Sequence, residues 1–104
     1  MENHFSFDQR LGIQLPDIHL DWEQFSLETQ AAILFYWEQI RGTIPDRIAD
    51  LENTINRKQA ELSDESDFPR SCKLNSEIAE LASIINDLWI WYRTNQDVSI
   101  KMHH

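Results

Sequence analysis

The sequence predicts an all-α protein: an antiparallel helical hairpin over about 44–63 and 68–94, a preceding helix over about 27–41, and an extended N-terminal arm over 1–25. Three observations predict it. Apolar residues recur at steps of four and three in two segments, Ile44, Ile48, Leu51, Ile55 and Leu62, then Leu74, Ile78, Leu81, Ile85, Leu88 and Tyr92. That is the heptad spacing of a helical seam. The polar run Ser63-Asp64-Glu65-Ser66-Asp67 separates the two segments, as a hairpin turn requires. Upstream, Ala31-Ala32-Ile33-Leu34-Phe35-Tyr36-Trp37 is apolar around most of a helical cylinder and has to be covered on several sides.

Taken in order, residues 1–25 carry Phe5, Phe7, Leu11, Ile13, Leu15, Ile18, Leu20, Trp22 and Phe25 without a helical period, and Gly12 and Pro16 interrupt them. Leu11, Ile13 and Leu15 alternate as in a strand. No second strand stands out to pair with them, so the expectation is an extended arm laid along helices, with addition to a partner's sheet as the alternative. Ser26 is an N-cap for the helix that follows, its hydroxyl accepting from first-turn amides while Glu28 sits at the positive helix end. Gly42-Thr43-Ile44-Pro45 reads as a stop and a restart, because one helix through both would cost about 1 kcal/mol for Gly and about 3 for Pro. A break or sharp kink is expected there, with Thr43 capping the next helix. Asp67 caps the third helix, Pro69 is tolerated in its first turn, and Asn95 is the expected terminator. The resulting division is an arm over 1–25, a helical domain over 26–95 and a tail over 96–104.

With the turn centred near Glu65-Ser66, facing positions sum to about 132. Ile55 then faces Ile78, Leu51 faces Leu81, Ile48 faces Ile85 and Ile44 faces Leu88. Lys58, the one polar seam position, falls near the turn, where its stem packs and its ammonium reaches water. Trp89, Ile90 and Trp91 lie at the far end, where the aromatic run of the first helix is the nearest cover. Aromatics bury roughly 150–250 Å² each. Tyr36, Trp37, Trp89 and Trp91 left half covered would make a patch larger than soluble monomers usually show. The expectation is therefore a homodimeric helical bundle about a two-fold axis, with these four residues as dimer or partner contacts.

Charge narrows the function classes. Eighteen Asp and Glu against nine Lys and Arg give a net charge of −9, which opposes nucleic-acid phosphates and anionic membrane surfaces. Direct nucleic-acid and membrane partners are not expected. A single cysteine precludes an internal disulfide framework. No apolar run approaches the ~20 residues of a membrane span, and the start lacks a secretory pattern, so a cytoplasmic location is expected.

Several groupings combine residue types that carry chemistry elsewhere. Asp17, His19 and Asp21 alternate on an extended segment and read as an exposed loop rather than a metal site. Asp64-Glu65-Ser66-Asp67 lacks the glycine and the terminal glutamate of a calcium loop. His103 and His104 are assigned no function. Cys72 has no histidine in the three helices to activate it. The carboxylate pairs Glu77/Glu80 and Asp46/Asp50 lack the histidine that a di-metal bundle adds. Gly12 and Gly42 are the only glycines, too few for a phosphate-cradling loop. No cofactor or metal is expected, and no catalytic residue.

Leu74-Asn75-Ser76-Glu77-Ile78-Ala79-Glu80-Leu81 resembles the Ser-x-Glu-Leu-Asp region of small bacillar phosphatases that act on a sporulation response regulator. That family's aspartate falls at Ala79, so the resemblance implies a shared hairpin and no family membership. The sequence thus reads as a non-catalytic adaptor or regulatory protein of bacterial style that docks a protein partner. The alternatives are an acidic inhibitor imitating nucleic acid on a basic partner, and a hairpin phosphatase working through Asn75 or Glu77.

Overall fold

The computed structural model describes residues 2–93 and shows a mostly helical chain about 60 Å long and about 20 Å thick. Its elements are strands β1 (Phe5–Asp8) and β2 (Ile13–Pro16), then helices α1 (Leu27–Asp64) and α2 (Phe68–Tyr92), with single 3-10 turns at Glu2–His4 and Trp22–Gln24.

Two of the three expected N-caps form. The Ser26 hydroxyl accepts from the Thr29 amide at 3.1 Å, and the Asp67 carboxylate accepts from the Arg70 amide at 3.2 Å. The break at Gly42–Pro45 does not form: α1 runs unbroken for 38 residues with Pro45 inside it. The physical reason lies on either side of the proline. Ile33, Trp37 and Ile44 before it, and Ile48 and Leu51 after it, share one buried face. Each such side chain contributes about 1.5–3 kcal/mol on full burial, which together exceeds the local penalty of Gly and Pro. Thr43 does not cap a new helix. Its hydroxyl donates to the Ile40 carbonyl at 2.7 Å within α1.

The second correction concerns the arm, and with it the all-α class. Phe5–Asp8 is the strand that pairs with Ile13–Pro16, antiparallel, with Phe5 opposite Pro16 and Asp8 opposite Ile13. The connection works because Gly12 takes φ +76, a left-handed conformation that side chains disfavour. Its amide donates to the Asp8 carbonyl at 2.7 Å, and the Leu11 amide donates to the Asp8 carboxylate at 2.8 Å. Phe5, Leu11 and Ile13 are buried in the same core cluster as Trp37, Ile44 and Leu88. A two-stranded hairpin is marginal by itself; here the helices supply its second layer.

Helices α1 and α2 lie side by side and antiparallel. Lys58 reaches Glu77 at 3.1 Å, Arg70 lies 3.9 Å from Glu61, and Arg41 donates to the Tyr92 carbonyl at 3.1 Å, all close to the expected facing sum. The orientation of α2 differs from expectation in one respect. Ile84, 8% exposed, joins the core, whereas Ile85 and another expected seam residue, Ile78, are only half-buried. The Ile84-Ile85 pair offers two apolar choices one residue apart, and the core containing Leu11 and Ile13 takes the first. The ends expected at 94 and Asn95, and the tail over 96–104, lie outside the described residues.

Candidate functional site

The four aromatic residues singled out from sequence differ in burial. Trp37 is fully buried, and its ring meets Trp91 edge-on at 5.5 Å. Trp91 is half-buried. These two close the core where α2 ends. Tyr36 is half-buried like Trp91, and Trp89 is the exposed one of the four. The Tyr36 ring stacks edge-on with Phe5 at 4.7 Å, and its hydroxyl donates to Gln14 at 3.4 Å. Trp89, 40% exposed, meets Tyr92 edge-on at 5.5 Å, and the Arg41 guanidinium sits 4.9 Å from the centre of the Tyr92 ring. Burial inside one chain thus accounts for the larger part of the aromatic surface.

Two arginines hold the strand pair to the helices. Arg10, in the β-turn, donates to Glu80 at 2.8 Å, Asp87 at 2.7 Å and Ser83 at 2.8 Å, all on α2. The Asp87 and Glu80 carboxylates hold its guanidinium above the ordinary arginine range. From α1, Arg47 donates to the Leu11 carbonyl at 3.0 Å. The turn is therefore clipped to both helices, with buried Leu11 between the clips. Residue type alone did not single out either arginine. The available signal was an arginine and a glycine flanking an apolar residue, Arg10-Leu11-Gly12, inside an otherwise extended segment.

On the flank of the helix pair that carries the strands, a groove of about 310 Å³ opens between the hairpin and α1. Phe7, Ile13, Tyr36 and Ile40 form its apolar walls, and Gln14, Gln39 and Thr43 its polar ones. No side chain there carries a charge at neutral pH. Phe7 is 61% exposed, and the neighbouring α1 residue Phe35 is 66% exposed. On the opposite flank a larger open groove of about 570 Å³ runs between α1 and α2 over Ile55, Ile85, Ala49 and Ala82.

The remaining groupings are placed as follows. His19 lies 3.4 Å from Asp17, both exposed, and Cys72 is exposed on α2. Among the described residues, no three His, Cys, Asp or Glu side chains converge as a metal site. Glu77 is turned toward Lys58, whose hydrogen bond lowers its pKa below the usual carboxylate value. No described helix is long and apolar enough to cross a membrane. The chain matches no protein-family model, no curated protein and no solved structure.

Proposed function

We propose that this chain is a non-catalytic helical interaction protein, homodimeric, which acts as an adaptor or regulator by binding an apolar segment of a protein partner. The observation that carries the reading is the distribution of exposed large apolar side chains. Phe7, Leu20, Leu27, Phe35, Trp89 and Ile90 are exposed in the half of the molecule where α1 begins and α2 ends; Phe68 is exposed at the other end. Soluble proteins scatter such residues singly, and their concentration marks interaction surface. Aromatic side chains that remain exposed beside a formed groove are the residues that anchor interfaces. Phe7 and Tyr36 line a groove without charged side chains among the described residues, and Phe35 is exposed next to Tyr36 on α1, which suits an apolar partner segment better than a basic one.

The test is affinity capture with the full chain, in parallel with Phe7→Ser and Phe35→Ser variants whose circular dichroism matches the parent. A partner retained in high salt and lost with either variant supports the reading. A partner that elutes steeply with salt and ignores both variants would establish the acidic-inhibitor alternative instead, because charge-driven binding is screened while apolar contacts are not. Loss of label from a phosphorylated response regulator on incubation with the protein would overturn the non-catalytic assignment.

A further inference from the structure

The geometry points to the groove between α1 and α2, on the flank away from the strands, as the seat of a second copy of this chain, forming a four-helix bundle. The inference rests on the homodimeric part of the proposed function and names the surface that makes the dimer.

Helix α2 carries two apolar stripes. Leu74, Leu81, Ile84 and Leu88 face the seam or the core beside it. Ile78, Ala82, Ile85 and Trp89 follow one another at steps of four, three and four. At ~100° per residue they occupy a separate line about a quarter-turn around the helix. Ala82 and Trp89 are exposed there, and Ile78 and Ile85 are half-buried. On α1 the matching line carries Ala49, Asn53, Asn56 and Gln59. The strand pair cannot cover this flank, since its partners Arg47, Glu80, Ser83 and Asp87 all lie on the other one. A heptad-spaced apolar line beside a facing helix that offers Ala49, Ile55 and uncharged amides is a surface into which another helix packs.

Charge and hydrogen bonding select a second copy as the occupant. Two chains of net charge −9 repel, so they meet best where ionisable groups are sparse, and among the described residues Glu52 is the sole ionisable one lining this groove. A two-fold interface sets a surface against itself. Asn53, Asn56 and Gln59 each donate and accept and so can pair with one another across a two-fold axis, which carboxylates or ammoniums do not. A basic partner would instead be drawn to carboxylates such as Asp46 and Asp50.

The test is multi-angle light scattering on the full chain from about 10 to 200 µM, with Ala82→Glu and Asn56→Glu as variants at exposed positions. The parent is expected at twice the 12.4 kDa chain mass. Both variants are expected at the single-chain mass with unchanged helical circular dichroism, and added salt should tighten the parent dimer severalfold by screening its self-repulsion. A parent at 12.4 kDa throughout overturns both the dimer and its seat. A dimer that survives both substitutions overturns this seat alone and leaves the homodimeric reading standing. A mass above the single chain that appears only with a captured foreign protein assigns the groove to that protein and overturns the second copy.

Discussion

Substituting Gly12 with alanine tests the clip that holds the strands to the helices. Gly12 has φ +76, and a Cβ built there falls 2.7 Å from Arg47 Nε and 2.9 Å from its Cζ. The left-handed conformation costs an alanine about 1–2 kcal/mol. The contact adds a second cost, because Arg47 cannot retreat without giving up its bond to the Leu11 carbonyl, a loss of about 1 kcal/mol or more for a charge-assisted bond at a partly exposed site. Gly12→Ala should therefore destabilise the chain by about 2–3 kcal/mol in all. Urea unfolding followed by tryptophan fluorescence measures this, with Trp37 and Trp91 reporting from the core. A double-mutant cycle separates the two parts. In an Arg47→Ala background only the backbone strain of about 1–2 kcal/mol should remain, leaving a coupling of about 1 kcal/mol. If Gly12→Ala stays within about 0.3 kcal/mol of the parent, or if the cycle shows no coupling, the clip as described is wrong.

The other predictions concern α1, α2 and the Lys58–Glu77 pair. Gly42→Ala should stabilise by about 1 kcal/mol, because a Cβ there meets nothing within 4 Å; a lowered melting temperature would contradict an unbroken α1. Ile84→Ala should cost about 2–4 kcal/mol and Ile85→Ala clearly less, since only Ile84 is buried; the reverse order in urea unfolding would return α2 to the orientation read from spacing alone. Glu77 has its pKa lowered by Lys58, so the stability it contributes is present above its unfolded pKa and lost as pH falls through its folded value. Melting curves from neutral to acid pH should show the parent losing more stability below about pH 4.5 than Lys58→Met does; equal losses would count against the pair.

The hairpin was legible because its signals are local and repeated. Ser26 and Asp67 cap their helices through side chains three residues from the amides they accept, and the heptad steps recur often enough to outvote Lys58. The strand pair was harder to read. Phe5–Asp8 spans four residues, too short to announce a strand by alternation, so the strand-like alternation of Leu11, Ile13 and Leu15 was left without a visible mate. Of the interaction surface, the sequence supplied the aromatic residues Tyr36, Trp37, Trp89 and Trp91. It did not sort them into the fully buried Trp37, the half-buried Tyr36 and Trp91 and the exposed Trp89, because burial depends on what packs against each ring.

What the amino-acid order determined by itself was therefore local and periodic: two helical segments, an acidic turn, their antiparallel register and the caps that start them. What only the tertiary structure decided was every choice in which a local cost met a distant gain. Pro45 stays inside α1 because Trp37 and Ile48, on either side of it, reach the same core. Ile84 displaces Ile85 in the core it shares with Leu11 and Ile13. Four residues at Phe5 become a strand because α2, seventy and more residues away in the chain, holds Arg10. Propensity is summed over neighbours in sequence, whereas burial and ion pairing are summed over neighbours in space, and at these three places the second sum is the larger.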